Sequence, residues 1–308
     1  MSLVRPARLA PGARAGVCAP AGPADLERFE AGLARLRAFG FDVRVTAGAR
    51  GRRRFHSGTL EQRAAELQSL LDDPTIDALF FARGGAGSFA LLPRLDLTGF
   101  RRRPKPVVGY SDLTFLHLML QRAGHAGFHG PLVAIDFAEP AGVHEESLRA
   151  ALFGGAPFAS EPDELEPLRE GAAEGVLLGG CLSILAAACG TPWALAPEQD
   201  TILFLEDLDE PPYRIERLLT QLAQAGALEH VRGILLGDFK GCSPRLDEGY
   251  SLEDVVLETL GAFDLPIALG LSSGHTSNPN VTLPLGVRAR LECREGSARF
   301  EVLEEAAP

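Results

Sequence analysis

Ser111 ends an apolar run, Pro106-Val107-Val108-Gly109-Tyr110, and directly precedes a run of helical character over 112–120. Strand, sharp turn with serine at the apex, then helix is the shape of a nucleophile elbow. Such a turn lifts the hydroxyl clear of the backbone and aims the first helical amides at the oxygen of an attacked carbonyl. The same pattern also suits a serine that only caps the helix, so the choice falls to its partners. A serine nucleophile needs a base to take its proton and a third group to orient that base. Among seven histidines, His275 stands apart in the polar loop Ser272-Ser273-Gly274-His275-Thr276-Ser277-Asn278-Pro279-Asn280. That loop follows an expected strand, where open α/β sheets place their sites, although a surface turn would look similar. For the acid, Glu206 and Asp207 end the apolar run Ile202-Leu203-Phe204-Leu205. Carboxylates at the mouth of a buried strand are costly unless something pairs with them. Arg214 and Arg217 offer a purely structural ion pair as the alternative.

Two further stretches could serve this chemistry. The glycine turn Arg83-Gly84-Gly85-Ala86-Gly87-Ser88 also follows an expected strand. Its successive amides could form an anion-binding nest, and in a serine hydrolase they would suit an oxyanion hole together with the amide of Asp112. The turn is neither a GxGxxG nor a Walker A pattern, which weakens dinucleotide or ATP binding. His129-Gly130-Pro131 could line a pocket. The remaining histidines have plainer readings: His117 as packed in the helix after Ser111, His125 flanking Gly127 together with His129, and His56, His144 and His230 in polar or loop contexts.

The elements that must position these residues alternate. Strands are expected at 15–19, 41–46, 76–82 and 106–110, with helices at 25–39, 60–71, 89–95 and after Ser111. The second half restarts with a buried helix at 181–189, strands at 201–205, 231–236 and 266–269, and helices at 213–225 and 251–263. The last helix opens on a capping box of Ser251 and Asp254. An alternating strand over 281–291 should return through Glu295-Gly296-Ser297 and Phe300 as a terminal β-hairpin. Strands alternating with helices imply a mostly parallel sheet covered on both faces. The expected class is α/β: a domain over 1–150 carrying the serine, a Pro-, Glu-, Gly- and Ala-rich linker over 151–175, and a C-terminal α/β domain over 176–308 carrying the acid and the histidine.

Composition narrows the classes. The chain has 308 residues, 46% hydrophobic and 23% charged, and can bury a sizeable core without staples. A net charge of −11 argues against a general nucleic-acid partner. The clusters Arg50, Arg52, Arg53, Arg54 and Arg101, Arg102, Arg103 read as solvated loop surface. Five widely spaced cysteines without a CxxC fit free thiols in a reducing compartment. With no secretory signal core and no membrane-spanning stretch, the expected location is the cytoplasm, with no membrane partner. No metal-spaced ligand cluster occurs, and no metal or cofactor is expected.

Taken together the motifs resemble the LD-carboxypeptidase family of serine peptidases, the muramoyltetrapeptide carboxypeptidases. The stretches that carry the resemblance are Val17-Cys18-Ala19-Pro20-Ala21-Gly22-Pro23, Arg83 to Ser88 and Gly109-Tyr110-Ser111-Asp112 in the first half. In the second they are Gly179-Gly180-Cys181-Leu182-Ser183, Leu203 to Asp207, Glu210-Pro211-Pro212-Tyr213-Arg214-Ile215, Gly274-His275 and Thr282-Leu283-Pro284-Leu285-Gly286. They run in family order over nearly the whole chain. The resemblance implies a Rossmann-like N-terminal domain, a homodimer, Ser111 as nucleophile, Glu206 rather than Asp207 as orienting acid, and His275 as base. It places the oxyanion hole at the backbone around Gly85 and Asp112; Arg83, Gly84 and His129 are the candidates for substrate binding beside it. Ala86 and Cys181 depart from the family pattern, where an aromatic and an asparagine are frequent. Its implied reaction is release of a terminal D-amino acid from murein peptides. Two other readings remain: a microcin C self-immunity-type peptidase acting on aminoacyl-nucleotide amides, for which Trp193 would be an aromatic platform, and a non-catalytic small-molecule binding protein. An α/β-hydrolase fits poorly, because Leu113 stands where its elbow has glycine and His129-Gly130 follows the serine rather than preceding it.

Overall fold

The computed structural model describes residues 3–161, 164–245 and 247–308. The chain runs β1 (Arg14–Cys18), α1 (Leu26–Ala38), β2 (Asp42–Val45), α2 (Leu60–Asp72), β3 (Ala78–Phe81), α3 (Thr98–Arg102), β4 (Val107–Val108), α4 (Thr114–Arg122) and β5 (Gly127–His129). It continues through α5 (Glu145–Phe153), β6 (Glu166–Arg169), β7 (Gly171–Cys181), α6 (Leu182–Ala188), β8 (Thr201–Glu206), α7 (Pro212–Gln224), β9 (Val231–Gly237), α8 (Leu252–Thr259) and β10 (Ile267–Leu271). It ends with β11 (Leu283–Leu285), β12 (Arg288–Arg294) and β13 (Ser297–Val302). The expected α/β class holds, with two sheets and a terminal hairpin of β12 and β13.

Helix starts follow the local chemistry. The Asp25 side chain accepts from the Arg28 amide at the head of α1. Thr59 with Gln62 caps α2, and Ser251 with Asp254 caps α8, each as a reciprocal box. The stretch after the glycine turn, Phe89–Arg94, is a 3₁₀ helix rather than an α-helix. Pro93 inside it cannot donate to an α-helical ladder.

The first sheet has strand order β11-β5-β4-β3-β1-β2 and is parallel except for β11. Along β3, Leu79 and Phe81 enter one apolar cluster while Ala78 and Phe80 enter another. A strand covered on both faces therefore reads as an unbroken apolar run. The second sheet has order β13-β12-β7-β8-β9-β10-β6, with β7, β8, β9 and β10 parallel. Its β8 alternates likewise: Leu203 and Leu205 face the core shared with the first half, and Ile202 and Phe204 face the terminal strands. The shared core joins Leu116 and Leu118 of α4 to Leu182 and Leu185 of α6, so one apolar cluster spans both sheets.

Two expectations need correction. The composition of the connection over 151–175 leads one to expect a helix or two; the end of α5 lies at its start, but the elements that follow are strands, β6 and the beginning of β7. Strand β6 forms the sheet edge, antiparallel to β10, where Pro167 and exposed charge are tolerated, which is why its composition reads as a connection. The expected single strand over 281–291 is two strands. Residues Leu283–Leu285 join the first sheet beside β5, with Leu283 opposite His129, and only Arg288–Arg294 enters the hairpin. The switch at Gly286 ties the second half of the chain to the sheet of the first.

Candidate active site

The loops at the C-terminal ends of β3, β4, β8 and β10 carry the residues singled out above. At the end of β4, Ser111 adopts φ +63°, one of four non-glycine residues with positive φ among the described residues. An L-residue there costs about 1–2 kcal/mol, so its surroundings must impose it. They do so from both sides. The Gly109 amide donates to Phe128, and its carbonyl lies 2.7 Å from the buried His117 ring. After the serine, the Asp112 carboxylate accepts from the Ser88 amide at 2.8 Å, while the Ser88 hydroxyl donates to the Asp112 carbonyl at 2.6 Å. Asp112 thus clips the glycine turn to the elbow. The buried Arg63 guanidinium holds the same turn by donating to the carbonyls of Pro20 and Gly87. Its helical spacing with Leu67 and Leu70 places Arg63 on the buried face of α2, the one signal in the sequence that could have found it.

Gly84 explains how close the two loops come. A Cβ there would lie 2.8 Å from Ser111 Cβ and 2.9 Å from its Oγ, so any side chain would occupy the hydroxyl's space. Gly85 is exposed beside it, with φ +107°. Arg83 is half-buried: Nη1 donates to Pro23 at 3.4 Å, and Nε is buried without a partner.

Glu206, the last residue of β8, is completely buried. Its Oε2 accepts twice from His275, from the backbone amide at 3.0 Å and from ring Nδ1 at 2.7 Å. With Nδ1 as donor, Nε2 carries the lone pair, the tautomer a general base requires. Burial opposes the charge on both partners. The attraction more than offsets it, so Glu206 is held below the ordinary carboxylate range and His275 is raised above the ordinary imidazole range. Gly274 makes the contact possible: its φ is +86°, and a Cβ would lie 2.6 Å from Glu206 Cδ.

Asp207 has a different task. Its carboxylate accepts from the amides of Ser183 at 2.7 Å and Leu208 at 2.9 Å, tying β8 to the start of α6. Neither arginine offered as a structural partner reaches these acids. Arg214 pairs with Glu210, and Arg217 lies over the Tyr213 ring.

The histidine loop is anchored by residues that the sequence did not flag. Buried Asn280 accepts from the Gly274 amide at 3.0 Å, and its Nδ2 donates to the Gly274 carbonyl and to Asp136 Oδ1. Asp136 belongs to the first half of the chain and also accepts from the Leu132 amide. Burial lifts its pKa to about 6. The only sequence signal for Asn280 is its place in the same polar loop; Asp136 has none.

Ser111 and His275 are half-buried, whereas the acid behind them is sealed. Tyr110 joins the two sides, its ring standing edge-on to the His275 ring at 5.0 Å between centroids. No hydrogen bond links Ser111 Oγ to His275 in this structure. Catalytic hydrogen bonds are often open without substrate. His129, expected toward the substrate, is instead fully buried behind Glu206, with Nε2 3.9 Å from Oε1. The arginines at 50, 52–54 and 101–103 are exposed, as expected, but Arg101 and Arg102 end α3 rather than lying in a loop.

Comparison with known proteins identifies the family. The family model for the LD-carboxypeptidase N-terminal domain matches residues 15–130, and that for the C-terminal domain matches residues 174–291. A murein tetrapeptide carboxypeptidase of Pseudomonas aeruginosa is 34% identical over 287 residues, covering 91% of this chain and 93% of the relative. The crystal structure of a muramoyltetrapeptide carboxypeptidase from Oxalobacter formigenes superposes with a TM-score of 0.84 at 27% identity, covering 94% of this chain and 98% of the other. The structure of MccF in complex with glutamyl sulfamoyl guanosine gives 0.88 at 25% identity, covering 98% and 99%. The chain belongs to the LD-carboxypeptidase family.

Proposed function

We propose that this carboxypeptidase is a serine enzyme that removes the terminal D-amino acid from murein tetrapeptides, with Ser111 as nucleophile, His275 as base and Glu206 as orienting acid. The observation that carries this reading is the buried Glu206 carboxylate bonded twice to His275, opposite a serine held at positive φ. The names of the Pseudomonas and Oxalobacter proteins support the substrate class.

His275 Nε2 takes the hydroxyl proton as Ser111 Oγ attacks the carbonyl on the L-configured centre. Glu206 stabilises the imidazolium that forms. In this reading the amides of Gly85 and Asp112 are the donors to the oxygen that becomes negative, where fixed dipoles are worth more than water. His275 then gives its proton to the departing D-amino acid nitrogen as the C–N bond breaks. Water repeats the cycle on the acyl-enzyme, releasing the shortened peptide and the serine. Arg83, half-buried beside the glycine turn, is the cation we assign to the carboxylate of the substrate terminus.

A second reading has an observation in its favour. The structure of MccF in complex with glutamyl sulfamoyl guanosine matches 98% of this chain, whereas Trp193 and Phe89 pack partly buried against the shared core, with Phe89 stacked on buried Phe115 at 4.2 Å. Cleavage of an aminoacyl-nucleotide amide would use the same serine chemistry. The test is turnover of purified muramoyl tetrapeptide and of an aminoacyl-nucleotide amide, each in the presence of EDTA. Release of D-alanine that vanishes in Ser111→Ala supports the main reading. Turnover confined to the nucleotide amide supports the second. Activity that survives in Ser111→Ala removes the role given to the serine, and ligand binding without turnover of either substrate makes the chain a binding protein.

We place the enzyme in the cytoplasm as a homodimer. Its five cysteines are unpaired, which suits a reducing compartment. Among the described residues no helix is long and apolar enough to cross a membrane. The dimer rests on the family resemblance and is tested by light scattering on the eluting protein.

A further inference from the structure

Glu206 has two oxygens, and the pairing with His275 uses only Oε2. Oε1 is buried and without a hydrogen-bond partner, as are both ring nitrogens of His129. These orphans face each other: His129 Nε2 lies 3.9 Å from Glu206 Oε1, with both side chains sealed from solvent. The histidine comes from β5 of the first sheet and the acid from β8 of the second. Its remaining surroundings are aromatic, with Phe204 at 5.1 Å and Tyr110 at 5.7 Å between ring centroids.

A neutral imidazole carries one N–H and one lone pair. Burial keeps this ring neutral, lowering its pKa to about 3. With the proton on Nδ1, the N–H would have no hydrogen-bond acceptor, and orphaned donors in protein interiors are rarer than orphaned acceptors. On Nε2 it points at a carboxylate that lacks a partner. At 3.9 Å the gap exceeds a good hydrogen bond by about 1 Å, so the contact is a close approach rather than a formed bond.

We propose that His129 is a positioning residue whose Nε2–H is aimed at Glu206 Oε1, so that the carboxylate is fixed from both sides, by His275 on Oε2 and by His129 on Oε1. Its effect on catalysis rests on the serine mechanism above, through Glu206 and not through contact with substrate. A donor on Oε1 spreads the carboxylate charge and keeps Oε2 directed at His275 Nδ1. Without it the Glu206–His275 pair holds its proton more tightly. The other ionisable groups around the pair are Asp136, Asp207, Tyr110, Cys181 and His117. Asp136 and Asp207 are bound by other donors, while burial holds Tyr110, Cys181 and His117 neutral.

The experiment compares His129→Gln, whose amide nitrogen can occupy the place of Nε2, with His129→Phe, which keeps the ring shape without a donor. In His129→Phe, kcat should fall by about tenfold to a hundredfold with KM little changed. The acid limb of kcat/KM should move to higher pH, and His129→Gln should recover most of both. A structural role alone would move neither limb. Phenylalanine and glutamine variants with the same rate and the same limb would overturn the proposal. Nitrogen-15 NMR of the wild-type protein with labelled histidine gives a readout independent of folding of the variants. The His129 signals should show a neutral ring protonated on Nε2, and a proton on Nδ1 refutes the assignment. That spectrum stands whether or not Ser111 proves to be the nucleophile, so the two readings fail separately.

Discussion

Replacing Glu206 by glutamine keeps the volume at the end of β8 and removes one sealed charge. In the resting enzyme the amide oxygen can still accept from the His275 amide and ring, now at 3.0 and 2.7 Å from Oε2, so the tautomer can survive. What is lost is attraction to the imidazolium formed when His275 takes the serine proton. Charge centres about 4 Å apart at an effective dielectric near 20 attract by about 4 kcal/mol. The neutral hydrogen bond retained by glutamine returns about 1 kcal/mol. The net, about 3 kcal/mol, is roughly a hundredfold in kcat. The pH profile should change as well. Burial lowers the His275 pKa and Glu206 raises it. In Glu206→Gln burial acts with less opposition, so the acid limb should move to lower pH, opposite to the shift expected for His129→Phe. Steady-state release of D-amino acid from pH 5 to 9 measures both quantities. A folded Glu206→Gln enzyme that loses less than about fivefold in kcat, or whose limb does not descend, refutes the assignment of Glu206 as the group that stabilises the imidazolium.

Ser111→Gly should abolish activity while raising stability by up to about 1 kcal/mol, because glycine occupies positive φ without strain. Urea denaturation beside the wild type reads this, and a large loss of stability would show that the serine side chain holds the elbow. Gly274→Ala sets a methyl 2.6 Å from Glu206 Cδ at φ +86°, and should cost about 1–3 kcal/mol in stability as well as activity. Wild-type melting in the alanine variant would mean that the loop can move off the acid. The Glu206–His275 pair should also shape stability against pH. A raised His275 pKa contributes stability that is present below about 6.5 and is lost as pH rises through the folded value. A depressed Glu206 pKa contributes stability that is present above about 4.5 and is lost as pH falls through its folded value. The stability difference between wild type and His275→Gln should therefore be largest between about 4.5 and 6.5. Activity needs neutral His275 and should rise above that window; a difference that grows toward pH 9 would contradict the raised pKa.

Much of this arrangement was legible in the amino-acid sequence alone. An apolar run, a turn and a helical run mark an elbow wherever they meet, and Ser111 took the strained conformation that the pattern implies. Strand ends carry polar residues only where something holds them, which singled out Glu206, Asp207 and His275. Local pattern could not separate the two acids, since both end the same strand. Their tasks differ because alternation along an extended chain sends neighbouring side chains to opposite sides, Glu206 to His275 and Asp207 to the start of α6.

The sequence by itself determined which elements form and which loops gather at the strand ends, because periodicity, caps and glycine turns are local properties of the chain. Only the tertiary structure decided which partners those loops meet. Leu283 lies far along the chain from His129 yet pairs beside it, and Asn280 reaches Asp136 across more than a hundred residues. His129 read as a pocket residue because its motif gives no measure of burial; the crossing of β11 to the first sheet and the approach of β8 enclose it. Contacts of that kind depend on how two sheets share one apolar core, a property of the assembled chain that short-range pattern does not encode.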